Sequence, residues 1–182
     1  GVYFYQPKPA DVNGDGIATS REVSQNLIGV ASDETPVYAE AFAKVENGDL
    51  YEIVPETPYT KQDLDYTVKD SRSNVEMADE SSRPAFVKKC DSIADYDTVF
   101  VGFPVWWGRE PSIIDTFLEA YDFSGKTIIP FCTSGGSDVK KASRHIKDIV
   151  NENVTVEEGK RLGPDATEEE IVHAAKQVHA YS

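Results

Sequence analysis

The sequence predicts an α/β protein: a three-layer sandwich in which a five-stranded parallel sheet carries helices on both faces. Three observations predict it. Five strand-like segments alternate with helical ones, the pattern left by crossover connections between parallel strands. The stretch DTVFVGFPV (97–105) is a continuous β-branched and aromatic run, as expected of a strand buried on both faces at the centre of such a sheet. Two segments also open with the spacing of a helix capping box, Thr60 with Asp63 and Thr167 with Glu170.

Taken in order, VYFYQ (2–6) reads as a short buried strand, and 7–34 is a long polar stretch rich in Gly and Ser. TPVYAEAFAKV (35–45) reads as a helix: Thr35 caps it, Pro36 suits its first position, and Tyr38, Ala41, Phe42 and Val45 share one face. GDLYEIV (48–54) is the second strand, TKQDLDYTVKDSR (60–72) a second helix, and 74–95 irregular. After the 97–105 strand, PSIIDTFLEAY (111–121) repeats apolar residues at helical spacing through Ile113, Ile114, Phe117, Leu118 and Tyr121. KTIIPFC (126–132) is a buried strand, SDVKKASRHIKDIV (137–150) a helix and NVTVEEG (153–159) the fifth strand. The last helix starts at Thr167 and turns Ile171, Val172, Ala175 and Val178 inward.

At 182 residues this is one domain, with the 7–34 stretch as a loop insertion. A globule of that size buries about 70% of its unfolded surface, so it needs no disulfide or metal staple. The net charge of −14, from 32 acidic and 18 basic residues, repels nucleic acid and anionic lipid and favours a basic partner. Cys90 and Cys132 stand far apart and form no CxxC, so neither a disulfide framework nor a zinc motif is indicated. No apolar run approaches the ~20 residues of a membrane span. The chain opens at Gly1 without a methionine, consistent with removal of an upstream segment such as an export signal, and the compartment stays open.

Ligands of parallel sheets bind outside the carboxyl ends of the strands, where strand order reverses. The loops there are 6–35, 103–111 and 131–138. The second holds both tryptophans of the protein, Trp106 and Trp107. One reading makes them core side chains at a strand end. Adjacent residues on extended chain point to opposite sides, however, so at most one enters a given core layer. The sharper reading makes at least one indole a wall for a flat aromatic ligand, with Gly108 allowing close backbone approach. The third loop, FCTSGGSD, offers hydroxyls at Thr133, Ser134 and Ser137 and unencumbered N–H groups at Gly135 and Gly136, and it opens a helix whose dipole points to the same crevice.

The segment 96–138, with PVWWG (104–108) and FCTSGGS (131–137), resembles the core of flavodoxin-like proteins, in the bacterial subgroup carrying P-[IV]-W-W-G and F-x-T-S-G-G-S. The resemblance extends more loosely to 48–59, 83–86 and the closing strand and helix. It implies strand order 2-1-3-4-5 with FMN at the switch point, as in flavodoxins. It also implies that Pro104, Val105, Trp106, Trp107 and Gly108 line the isoalloxazine, with one indole stacking on it. Thr133, Ser134, Gly135, Gly136 and Ser137 would contact its polar edge and the ribityl chain. Gly108 is the candidate whose carbonyl accepts the N5 proton of reduced flavin. The acidic field would disfavour the anionic reduced ring and lower its potential.

The family's phosphate loop, S-x-T-G-N-T after the first strand, is altered. Tyr5, Gln6 and Pro7 follow strand one, then the long insertion, then VASDET before the helix. Ser32 and Thr35 stand where two hydroxyls belong, and Asp33 and Glu34 replace Gly-Asn, an unfavourable exchange beside a phosphate unless the carboxylates face solvent. Gln6, Ser32 and Thr35 are the phosphate-end candidates. Within the insertion, DVNGDGIATSRE (11–22) fits the EF-hand loop pattern, with Asp11, Asn13, Asp15, Ile17 and Glu22 as calcium ligands and Gly16 at the turn. QPKP forbids the helix that should precede it, and Ala18 replaces the usual β-branched residue.

Other features read as ordinary structure. His145, His173 and His179 lie on helices without an HExxH; Lys140, Lys141, Arg144 and Lys147 form a solvated basic face; Cys132 is a small buried strand residue. No G-x-S-x-G elbow, Walker loop or paired catalytic carboxylates can be read. Three functions follow as expectations: an FMN protein exchanging single electrons with protein partners, a small FMN-dependent NAD(P)H or quinone-type reductase, or a binding module on the same scaffold without FMN, with calcium in the 11–22 loop.

Overall fold

The computed structural model describes residues 51–88, 93–134, 136–162, 169–170 and 173. In chain order its elements are β1 (Val54–Pro55), α1 (Arg72–Ala78), β2 (Phe86–Val87), a 3-10 turn at Ile93–Asp95, β3 (Thr98–Pro104), α2 (Ser112–Ala120), β4 (Thr127–Thr133), α3 (Lys140–Ile149), β5 (Thr155–Val156) and β6 (Lys160–Leu162). The expected strand at 2–6, the helix at 35–45 and the calcium loop at 11–22 lie outside the described residues, as does most of the helix from Thr167.

The two longest apolar runs become neighbours. β3 and β4 pair in parallel over their whole lengths, from Thr98 opposite Thr127 to Pro104 opposite Thr133. On one face, Val101, Phe103, Ile128 and Cys132 are sealed against Ile113, Ile114, Phe117 and Leu118 of α2 and Ala142 and Ile146 of α3. On the other face, Ile129 and Phe131 are also fully buried. This double burial explains why both runs are continuously apolar rather than alternating. The order β3-β4-β5 places the third, fourth and fifth expected strands side by side. Of the expected 48–54 strand, only Val54 is in a described strand; with Pro55 it pairs antiparallel with β2.

Gly102 faces Phe131 across the ladder, and the ring lies where a side chain on residue 102 would go: a Cβ there would stand 2.3 Å from Phe131 Cζ. Gly102→Ala should therefore displace a fully buried ring and cost about 1–3 kcal/mol, measurable by urea unfolding.

The fifth strand is interrupted. β5 pairs with the start of β4 and β6 with its end, and Gly159 lies between them at φ +85°. Pro130 is the cause. The carbonyls of Lys126 and Ile128 accept from Thr155 and Glu157, so by alternation the nitrogen of Pro130 faces the same neighbour and has no hydrogen to donate. The partner strand bulges past that position and resumes opposite Phe131.

The expected helix at 60–72 is absent, although its capping box forms. Thr60 N donates to Asp63 Oδ2 at 2.8 Å, and Asp63 N to Thr60 Oγ1 at 3.1 Å. After one turn the chain continues as three-residue turns, with Asp65 bonding the backbone and hydroxyl of Thr67. Such local side-chain bonds compete with the helical ladder, and Tyr66 and Val68 are exposed, so no apolar face rewards a helix. The helix forms instead at α1, extending into the segment read as irregular, and Asn74 ties it back by donating to the carbonyls of Tyr66 and Val68.

Candidate functional site

β3 and β4 end level with one another, and Val105 N donates to Thr133 O at 3.0 Å just beyond them. The 104–108 and 133–137 segments therefore leave the same edge of the sheet side by side. Trp106 and Arg109 exchange backbone hydrogen bonds of 2.9 and 3.1 Å and close a two-residue turn. Both residues at its tip have positive φ, +52° at Trp107 and +79° at Gly108. That is the geometry of a type I′ turn, ordinary for Gly and strained by about 1–2 kcal/mol for a tryptophan.

The two indoles differ. Trp106 is half-buried and meets the Tyr59 ring edge-on at 5.6 Å, and Tyr59 is covered in turn by the Arg72 guanidinium 3.8 Å from its centroid. Trp107 is 64% exposed, and its Nε1 donates to Asn74 Oδ1 at 2.7 Å. Tyr59, Arg72 and Asn74 were not legible as site residues, because their stretch carries no apolar period. Lys141 was read as part of a solvated face. It is exposed, as are Lys140, Arg144 and Lys147, but its side chain ends beside Gly108, 3.7 Å at Nζ from where a Cβ would sit.

The second loop is less open than its sequence suggests. Ser134 Oγ donates to Ser137 O at 2.5 Å and accepts the Gly136 N–H at 3.1 Å. The Gly136 amide is thus already engaged, in the local bonding typical of a serine turn. Nor does the helix open at once: α3 starts at Lys140, and Asp138 Oδ1 accepts the Lys140 N–H, so a carboxylate stands between the loop and the helix end. Arg161, delivered by β6, reaches Ser134 O at 2.9 Å and brings positive charge to this loop. Thr133 is buried, Ser134 half-buried, and Gly136 and Ser137 exposed, with open space beside Gly136. Gly135 lies outside the described residues, as do Gln6, Ser32 and Thr35 at the expected phosphate end and Asp11, Asn13, Asp15, Ile17 and Glu22 at the expected calcium site.

Directly behind the turn is a buried charge cluster that sequence reasoning missed. Arg109 is 4% exposed, and Glu110 and Asp115 are completely buried. Arg109 Nη1 lies 3.1 Å from His145 Nε2, and His145 Nδ1 contacts Glu110 Oε1. A guanidinium only donates, so Nε2 accepts and Nδ1 carries the proton given to Glu110. His145 is thus neutral, in agreement with a pKa pushed down mainly by burial. Asp115 lies close to Glu110, and burial, followed by the interaction with Glu110, pushes Asp115 up to about 9. Burial likewise pushes Glu110 up to about 7. Ligand atoms of Glu110, Asp115 and His145 lie within 4.8 Å of one another, but Arg109, together with Arg83 at 4.0 Å from Asp115, already supplies positive charge there. Cys132 is sealed in β4 and burial raises its thiol to about 12, which leaves it inert.

The open indole, the glycine beside it, the hydroxyl loop and the Arg161 cation suit a flat heteroaromatic ligand with polar edges, and FMN fits that description. The comparisons bear on the family and the fold. The family described as flavodoxin matches residues 28–178. A candidate flavoprotein of Bacteroides eggerthii is 38% identical at a TM-score of 0.69, the match covering 81% of this chain and 87% of that one. A candidate flavoprotein of Bacteroides uniformis is 42% identical at 0.70, covering 78% and 90%. A Lactobacillus acidophilus flavoprotein solved in complex with FMN is 23% identical at 0.56, covering 72% and 86%, a likeness of fold. No curated protein matches the chain. With the family matched over most of the sequence and the parallel β3-β4 ladder at its centre, this chain is a member of the flavodoxin family.

Proposed function

We propose that the protein binds FMN at the mouth of β3 and β4 and exchanges electrons one at a time with a protein partner. The observation that carries this reading is Trp107: a large aromatic side chain, mostly exposed, held in a left-handed conformation at a turn tip beside the 133–137 loop. Strain with so little burial in return marks a position kept for a ligand. Bound FMN would supply the redox chemistry; the chain supplies its surroundings. Trp107 offers a stacking face, Trp106 braces the turn, and Pro104 and Val105 line the approach. Gly108, free of a Cβ, is the candidate to turn its carbonyl toward the ring edge. Ser134, Ser137, Thr133 and the amides of Gly135 and Gly136 would take the polar edge, Ser134 exchanging its bonds to Gly136 and Ser137 for the ligand. Gln6, Ser32 and Thr35 remain the candidates for the phosphate. The charge of −14 favours a partner with a basic docking face.

Titrating FMN into the purified chain tests this, because both tryptophans of the protein sit in the turn and report occupancy directly. Quenching of their emission to saturation is expected. Trp107→Gly should bind FMN about 3- to 10-fold more weakly through lost stacking. Its stability should change by no more than about 1 kcal/mol, since relief of the left-handed strain offsets one exposed hydrogen bond. Unchanged emission, with a melting temperature that rises with calcium and not with FMN, would replace this reading by the cofactor-free module. Rapid bleaching of bound FMN by NAD(P)H would favour the reductase.

A further inference from the structure

We propose that Glu110, Asp115 and His145 form a proton-loading site behind the tryptophan turn, holding one shared proton at neutral pH and taking up a second when negative charge develops on a ring seated against the turn. The coupling to a ring rests on the FMN reading above; the shared proton does not.

The geometry requires the first proton. Glu110 and Asp115 are completely buried with carboxyl oxygens within 4.8 Å of one another, and two ionised carboxylates are acceptors only, so neither could satisfy the other while both are charged. Glu110 Oε2 and both Asp115 oxygens are buried without a hydrogen-bond partner among the described residues. One proton between the carboxyls satisfies them, and it sits on Asp115, because Glu110 already accepts from His145 Nδ1. The surrounding charges come from every packed element. Arg109 leaves the turn; Arg83 approaches from the segment before β2, held by Glu119 of α2 at 2.9 Å; and Glu80, beyond α1, acts on His145. One carboxylate facing two guanidiniums is already compensated, so at a given pH the second proton is favoured when negative charge arrives elsewhere.

The route and the coupling are both visible. His145 has 20% of its side chain exposed, whereas Glu110 and Asp115 have none, so solvent protons enter through the imidazole. In the uptake step His145 takes a proton from water on Nε2, releasing Arg109, as its Nδ1–H bond breaks and an O–H bond forms on Glu110. The electron that drives the step comes from an external one-electron reductant and resides on the ring. Arg109 links the two events. Its backbone closes the turn with Trp106, and its guanidinium sits in the cluster.

Two measurements test this on the full chain. Without FMN, the infrared spectrum at neutral pH should show the carbonyl band of a buried protonated carboxylic acid, absent in Asp115→Asn. Asparagine can still donate to Glu110, so this variant should fold. With FMN bound, the midpoint potential of the wild type should fall more steeply with pH than that of Glu110→Gln, by roughly one extra proton per electron. His145→Gln should slow the proton uptake that follows rapid reduction. A missing infrared band overturns the proposal whatever FMN does. Bound FMN with equal pH slopes in wild type and Glu110→Gln overturns the coupling. Failure of the FMN reading looks different: unquenched tryptophan emission with the infrared band still present, which ends the coupling while leaving the shared proton demonstrated.

Discussion

Replacing Arg109 with methionine should destabilise the protein by about 3–5 kcal/mol at neutral pH, the cost of removing one partner from a buried ionic group. Arg109 is 4% exposed, and its neighbours cannot reach water when it is gone. His145 would lose its Nε2 donor, and among the described residues Glu110 would keep a buried negative charge faced by Arg83, itself 30% exposed and shared with Glu119. The loss should depend on pH in a definite direction. Asp115 and Glu110 are raised in the native state, to about 9 and about 7, from usual values of 3.8 and 4.5. Within those windows the native state binds more protons than the unfolded chain, so these groups make stability fall as pH rises. His145 is lowered from 6.5, so its contribution has the opposite sign and is lost as pH falls through that value. The deficit of Arg109→Met should accordingly shrink from pH 8 toward pH 6, as Glu110 protonates and no longer needs the guanidinium. Urea unfolding of wild type and variant at the two values checks it; a deficit independent of pH would mean that Arg109 acts by packing alone.

Gly159→Ala should cost about 2–5 kcal/mol, combining a left-handed alanine with overpacking against backbone. At φ +85° the new Cβ would lie 2.1 Å from Pro130 O, and a carbonyl in the middle of β4 cannot move aside as a side-chain end could. Gly125→Ala separates the two causes. Gly125 has nearly the same φ, +78°, with nothing within 4 Å of the Cβ position, so it should lose only the conformational part, about 1–2 kcal/mol. The Gly159 variant also has a functional consequence. β6 carries Arg161 to Ser134, so any variant that still folds should bind FMN more weakly, whereas Gly125→Ala should not.

Much of the centre of this molecule could be read from local pattern. The runs at 97–105 and 126–132 were recognisable as doubly buried strands, and the 111–121 and 137–150 periodicities as helices, because burial writes an apolar period into each segment separately. The motif pair at 104–108 and 131–137 was placed at adjacent strand ends, and the β3-β4 ladder does bring the two segments together. Other features left weaker marks. Pro130 lies in a run that reads as an unbroken buried strand, and the bulge of its neighbour past it emerges only from the pairing. The capping box at Thr60 forms as written and still starts no helix, since a cap satisfies donors without supplying an apolar face.

The division follows from the range of the forces. Strand, helix and turn positions come from hydrophobic period, proline, glycine and hydroxyl chemistry acting over a few residues, and one sequence carries them. The charge cluster does not come that way. Glu110 and Asp115 are separated from His145 by 35 and 30 residues, and only the packing of α2 against α3 beside the sheet excludes water from all three and obliges them to share protons. Likewise, Asn74 meets Trp107, and Arg161 meets Ser134, through contacts that no local pattern encodes. Desolvation and close approach belong to the assembled fold, and they decide what the residues named by the sequence can do.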